Sequence, residues 1–526
     1  MNKHYIAYTT LAIVVLSILI IFPKWIVDDA YISFRYAENL SRHGEFTFNV
    51  GEDPVEGYTG VLFPLGIALA LRIGLSPEFV VHFIGVLSFF LLLLVFHSIL
   101  AKLCLSPSLR QLVFFLFVTA PFLYTHVFSG LETITFTALL LSSSLQLHSL
   151  ITSRSASFLP HAALASSLFV LSLCRPEGVA YAAIVCCILI CTAALHVTSR
   201  RTFILSFVFF LVFPGTLYFI WRWQYYGYPF PNSFYAKQAL SLSGTSIYEL
   251  AHFFIQYLLL PTMAVITCLI LSPNEAWKHF HQKYFQLQKR ADILMLGSLV
   301  LFGLVIVSHY LQSNLFMNFS YRFYVPLYPI GLFFLVWFLS PLLGTGRLHL
   351  NTIQWQHRLI LFGLGMIYLT QIVFHTKWLL KREIPFALEY ETRLSEMHRA
   401  AGPYLKQRVP ESEWLVVHFD AGAIPYYSGL RTVDFGGLND EYLAHNKSAS
   451  IKDRLNYFFS KRPGAVVFTS YEWERVNHGY EASAIVSDPR FKIYKLVRKF
   501  GNSTSKKYYE FVFIRNDLLT KPGSQL

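Results

Sequence analysis

The sequence predicts a polytopic α-helical membrane protein of about eleven transmembrane helices, followed by a small α/β or α+β domain. Three observations predict it. The 526 residues are 54% hydrophobic and 14% charged, whereas a water-soluble chain carries about a quarter charged residues. The apolar residues recur in runs close to the roughly 20 residues that span a bilayer. Composition then changes after about residue 376, and the remainder is charged and holds no such run. A mean hydropathy of +0.46 excludes disordered, fibrous and disulfide-scaffold chains. The net charge of +13 is set against membrane lipids rather than nucleic acid.

The expected spans lie at about 6–22, 78–101, 111–128, 132–151, 158–174, 177–196, 203–221, 247–271, 291–309, 324–342 and 358–376. No small-residue cleavage site follows the first run, so it is a retained anchor rather than a signal peptide. The stretch GYTGVLFPLGIALALRIG (57–74) contains Pro64 and is short for a span. With that stretch held at the interface, Lys3, Lys102, Arg110, Arg154, Arg200, Arg201, Lys278, Lys283, Lys289, Arg290, Arg347 and Arg358 collect on one side. The positive-inside rule makes that side cytoplasmic. The expectation is an inner (plasma) membrane protein with a cytoplasmic N-terminus. Residues 1–376 form its transmembrane module, with a first extracytoplasmic loop over about 24–77, and residues 377–526 form a soluble extracytoplasmic domain. In that domain WLVVHF, RTVDF, GAVVFTS and YEFVFIR read as short strands. The six cysteines lie in or beside apolar runs without metal-ligand spacing and act as small hydrophobes.

On this topology the outer face gathers unusual polar residues. The first span runs into DDAYISFRYAENL, where Asp28, Arg35 and Asn39 fall within about 40° of one another on a helix. Other outer loops bring Glu132 in SGLET, Arg175 and Glu177 in CRPEG, Asn232 and Lys237 in WRWQYYGYPFPNSFYAK, and Tyr321 and Arg322 in NFSYRFYVPLYP. A charge at this depth costs several kcal/mol unless it is paired or lies in a wet cavity. Each group alone fits a local ion pair, a snorkelling side chain or an aromatic belt. Together, cations on the outer side oppose the positive-inside bias, and an anionic group at headgroup level would account for them. A carboxylate among them suits a general base.

The ordered set DDAYISFRYAENLSRHGEFTFNVGEDPVEGYTG (28–60), SGLET, RPEG, YYGYPFPNSFYAK, YRFYVPLYP and DAGAIPYYSGLRTVDFGGLND (420–440) resembles the GT-C superfamily of integral-membrane glycosyltransferases. It is most similar to bacterial relatives of the mycobacterial terminal arabinofuranosyltransferase. The resemblance implies a GT-C type fold and transfer of a sugar from a polyprenyl-phosphate donor to an envelope glycan or glycolipid acceptor on the extracytoplasmic face. It implies that an aspartate of the first outer loop, Asp28 or Asp29, is the catalytic general base, with Asp28 preferred. It implies donor-phosphate contacts from Arg35, Arg175, Lys237 and Arg322, and sugar or acceptor contacts from Glu56, Tyr58, Glu132, Glu177, Asn232 and Tyr321. Some relatives with pyrophosphate donors need a divalent metal. A monophosphate donor need not, so no metal and no other cofactor is expected. In the C-terminal motif, Asp420, Gly422, Asp434, Asn439 and Asp440 read as turn chemistry or as acceptor contacts near the active-site mouth.

Two other functions compete. A transporter or flippase of a lipid-linked sugar would put its polar residues near the bilayer midplane, often in paired halves, whereas here they sit at span ends without evident symmetry. An envelope scaffold would use the same charges only to hold lipid headgroups, and would tolerate Asp28→Asn.

Overall fold

The computed structural model describes residues 3–103, 107–154, 156–194, 200–237, 244–271, 287–313, 315, 317–339, 355–504 and 506–519. A helix occupies each expected span window, but the helices differ in length and burial. Among the described residues four are long and apolar enough to cross a membrane: Pro77–Lys102, Thr133–Ser153, Arg200–Tyr226 and Arg290–Leu311. A pair bent by 49°, Leu109–Val118 with Pro121–Phe128, makes a fifth if counted as one span. The expected count of about eleven is therefore not met by length and composition. Several of the remaining apolar helices, such as Phe158–Cys174 and Leu327–Trp337, have 10–17 residues. Pro121 accounts for the break in the bent pair, because a proline starts a helix readily but cannot continue one.

Burial orders the bundle. The apolar window of Thr133–Ser153 is 67% buried, against 17% for Arg200–Tyr226. The first is central and packs on Pro77–Lys102, Phe158–Cys174 and Leu287–Leu311. The second is peripheral and leaves Phe209, Phe213 and Trp223 exposed, as an apolar solvent permits. The stretch around Pro64 forms an 11-residue helix, Leu62–Arg72, about 16 Å long and so shorter than the hydrocarbon core.

The segment after the first span is helical over Asp28–His43, with Asp28 and Asp29 in the first turn and Arg42 and His43 in the last. Both placements match the helix dipole. Ala30, Phe34 and Ala37 are fully buried on the face that packs against Leu62–Arg72 and Ala423–Ser428. This segment is thus held between the bundle and the C-terminal domain.

That domain hangs from one helical run. Trp355–Trp378 continues through a π-turn at Leu379–Glu383, the helix Ile384–Arg393, a second π-turn at Leu394–His398, and Arg399–Lys406. A mixed five-stranded sheet follows: β1 (Trp414–His418), β2 (Arg431–Asp434), β3 (Ala465–Ser470), β4 (Tyr494–Phe500) and β5 (Tyr509–Arg515), in the order β2-β1-β3-β5-β4. β1 is parallel to β2 and β3, while β5 is antiparallel to β3 and β4. Side chains alternate across the sheet as strand geometry requires. Leu415, Val417, Val512 and Ile514 join Met397, Ala401 and Leu405 on one face. Val416, Val466, Phe468 and Phe511 join Phe458, Ala482 and Ile485 on the other. The domain is therefore a helix–sheet–helix sandwich. β4 was not among the expected strands. It lies at the sheet edge with Lys495 and Arg498 exposed, and charges of this kind protect an edge from pairing with another chain.

Candidate functional site

Three loops at helix ends build the site. Glu132 immediately precedes the helix Thr133–Ser153, and Arg175 and Glu177 stand between Phe158–Cys174 and the body of Glu177–Ala194. Arg322 comes from a turn at Phe319–Tyr324 in which Ser320 (φ 45°) and Tyr321 (φ 58°) are left-handed. Such backbone costs roughly 1–2 kcal/mol per residue, and here it re-aims the chain just before Arg322. The four charges interlock. Arg175 Nη2 lies 2.8 Å from Glu177 Oε1, Arg175 Nη1 3.5 Å from Glu132 Oε1, and Arg322 Nη2 3.2 Å from the same Glu132 oxygen. Tyr310 donates its hydroxyl to Glu177 Oε1 at 2.7 Å. The Phe323 ring lies 5.5 Å from the Arg175 guanidinium and 5.3 Å from that of Arg322. Two guanidinium groups and two carboxylates so close to lipid are stable as a mutually paired set. Arg322 Nε–H is buried and finds no acceptor among the described residues.

These residues line a cavity of about 420 Å³. Glu132, Arg175, Glu177 and Arg322 form its charged part, Thr59, Gln312 and Ser313 add polar groups, and Val305, Ile306, Leu315, Met317 and Phe234 supply apolar wall. The chamber thus joins a charged end, with two guanidinium groups and two carboxylates, to an apolar lining. Sequence reasoning missed Tyr310, His309 and Gln312, which lie at the end of a long apolar helix and carry no local motif.

The wall depends on a close approach. A Cβ added at Gly60 would lie 1.9 Å from the Cys174 carbonyl oxygen, immediately before Arg175. Gly60→Ala is expected to destabilise the protein by several kcal/mol, as overpacking against backbone does. The check is thermal unfolding in detergent, where the variant should melt well below the parent.

The other expected site residues do not line this cavity. Asp28 is buried against the C-terminal domain, where it accepts from the Gly422 and Ala423 amides and from His398 Nδ1, each at 2.9 Å. Burial opposes its ionisation, but the His398 charge and these donors outweigh it and hold the carboxyl below its ordinary range. Its contacts are those of a docking group, so they do not prepare it as a base facing the chamber. Asp29 is half-buried beside it. Arg35 does share the Asp28 segment, but its guanidinium spends four of its five N–H donors on the carbonyls of Phe48, Pro425 and Leu430 and on Asn49 Oδ1, so it is committed to the protein rather than to a phosphate. Glu56 is buried 3.2 Å from Arg222, and burial, against the arginine's pull, raises its carboxyl to about 8. Tyr58 belongs to an aromatic cluster with Tyr36, Phe46 and Tyr226. Asn232 donates to the carbonyls of Gly437, Leu438 and Asp440. Tyr321 turns to His252 and Gln256. The side chain of Lys237, at the end of the helix Asn232–Lys237, lies outside the described residues. Of the expected site, the structure brings together Glu132, Arg175, Glu177 and Arg322. Three of the others, Asp28, Arg35 and Asn232, join the rest of the chain to the C-terminal domain.

Comparison with known proteins places this geometry in context. A family model described as a domain of unknown function, DUF8728, matches residues 383–512. No curated protein matches the sequence. Two crystal structures share the fold over nearly the whole chain. One is ArnT from Cupriavidus metallidurans bound to undecaprenyl phosphate, with a TM-score of 0.56 and 11% identity over 96% of this chain and 97% of that one. The other is the same protein in the apo state, with a TM-score of 0.56 and 11% identity over 98% and 99%. The likeness shows that this chain shares the fold of that protein over nearly its whole length. The narrower arabinofuranosyltransferase relationship rests on the sequence motifs alone.

Proposed function

We propose that this protein is a GT-C glycosyltransferase that moves a sugar from a polyprenyl-phosphate donor to a glycan or glycolipid acceptor at the extracytoplasmic face of the plasma membrane. The observation that carries this reading is the pairing of Arg175 and Arg322 at one end of a cavity whose other walls are apolar. Guanidinium forks suit phosphate oxygens, and Val305, Ile306, Leu315 and Met317 suit a prenyl chain. The fold shared with a protein crystallised with undecaprenyl phosphate supports the same donor class. The N-terminus is cytoplasmic, the sheet domain caps the outer side, and the shorter apolar helices complete the spanning bundle.

In this mechanism the bond between the anomeric carbon and the phosphate oxygen breaks, and Arg322 and Arg175 stabilise the departing charge. The base belongs to the first loop. Val27 N–H donates to the Ser129 carbonyl at 3.0 Å, and a Cβ on Gly130 would meet Ala30 at 3.1 Å. The Asp pair therefore sits beside the loop that delivers Glu132 to the cavity. The Asp28 carboxylate is held by the C-terminal domain, and Asp29 is the other aspartate of the same first turn, so we assign proton removal from the acceptor hydroxyl to Asp29, which stands outside the wall of the Arg175 cavity. The test compares two isosteric changes in the purified protein. Asp29→Asn should abolish transfer from a polyprenyl-phosphate sugar in protein that still folds, while Asp28→Asn should lower the melting temperature. Full transfer by Asp29→Asn would refute the assignment.

A further inference from the structure

Away from the cavity, three chain segments converge on one buried point. Asp28 comes from the first-loop helix, His398 from the second π-turn, and Asp420 from the turn after β1. One ligand atom from each lies within 4.8 Å of the other two. His398 Nδ1 is 2.9 Å from Asp28 Oδ1, while its other nitrogen, Nε2, faces Glu510 Oε1 at 3.2 Å. Glu510 is 0% exposed, and neither of its carboxylate oxygens has a hydrogen-bond partner. Asp420 in turn accepts from the Tyr508 hydroxyl at 2.9 Å and from Thr469.

This is the arrangement of a metal centre. A ligating imidazole generally presents one nitrogen to the ion and the other to a carboxylate that fixes its tautomer, and ligating carboxylates are themselves hydrogen-bonded. Glu510 and Tyr508 occupy those outer positions. The charge balance agrees. Three carboxylates surround a single imidazole, and among the described residues no lysine or arginine forms an ion pair with any of the three. Arg399 is engaged with Tyr31 and Glu391, and Arg393 lies over the Tyr390 and Tyr508 rings. The imidazole, which pairs with Asp28 and Glu510, offsets at most one of these three charges, and burying the remainder is costly without a further cation. One imidazole with two carboxylates suits zinc or a neighbouring divalent transition ion better than calcium or magnesium, which favour all-oxygen shells. Asp420 is only half-buried, which leaves a path of entry.

We propose that Asp28, His398 and Asp420 bind a divalent transition ion, with zinc the best fit, which clasps the first outer loop to the C-terminal domain. Its role is structural, since none of the three residues lines the Arg175 cavity. The full chain, purified in detergent without chelator, should carry roughly one equivalent of zinc by mass spectrometry of the metal. A strong chelator should lower its melting temperature, and added zinc should restore it. Asp420→Asn, isosteric and outside the proposed catalytic set, should lose both the metal and the chelator response. Glu510→Gln should weaken zinc binding about 10- to 100-fold. Purified protein that holds no transition ion and melts at one temperature with or without added zinc or manganese would overturn the proposal. So would Asp420→Asn protein that keeps its full metal content.

Discussion

Arg322→Ala is expected to lower kcat for sugar transfer by about 10²- to 10³-fold, the effect of deleting one donor aimed at a developing anion in a closed site. The residue suits the test because its loss leaves Arg175 in place. Arg175 still pairs with Glu177 at 2.8 Å and Glu132 at 3.5 Å, so neither carboxylate is stranded. The converse change, Arg175→Ala, would leave Glu177 with Tyr310 as its remaining donor in the network and would mix folding with catalysis. The measurement is a transfer assay with a polyprenyl-phosphate sugar alongside thermal unfolding. Activity should fall while the melting temperature stays near that of the parent. Undiminished kcat would remove Arg322 from the donor site.

Arg35→Met is expected to have the largest effect on stability, at least ~3 kcal/mol. Its guanidinium receives no carboxylate and instead satisfies three main-chain carbonyls and the Asn49 side chain, with Nε, Nη1 and Nη2 all engaged at 2.6–3.1 Å. Two of those carbonyls, Pro425 and Leu430, belong to the C-terminal domain. Each buried acceptor left unmade costs about 1–3 kcal/mol. Limited proteolysis should show the first loop and the cap loosened from each other, and Arg35→Lys should rescue little, because an ammonium cannot reproduce the fork. A variant as protease-resistant as the parent would refute this role.

The sequence made the helical bundle, the extra sheet and the charged loops legible for different reasons. Long apolar runs carry their own signal, and helices stand where those runs predict. Their lengths do not follow as simply: proline at 121 and the short turn at Arg175–Pro176 divide apolar sequence into shorter pieces. SGLET, RPEG and the YRF turn were readable because charge beside lipid needs an explanation, and they do meet around one cavity. Asp28, Arg35 and Asn232 misled for the same reason. Sequence shows that a polar group must be satisfied, but not whether a ligand or the C-terminal domain satisfies it. Arg35 is quenched by carbonyls 390 and 395 residues away, a distance no local pattern reveals. β4 was hidden because its lysines break the apolar alternation that marks a strand.

The two π-turns at Leu379–Glu383 and Leu394–His398 have a mechanical consequence. Each inserts a wide, poorly closed turn into a stem that is otherwise regular α-helix from Trp355 to Lys406. Bending strain between the helical bundle and the C-terminal domain therefore concentrates at these two joints, and the second one carries His398. Any tilt of the C-terminal domain pivots at the imidazole that grips Asp28, so movement of that domain and release of the first loop become a single motion.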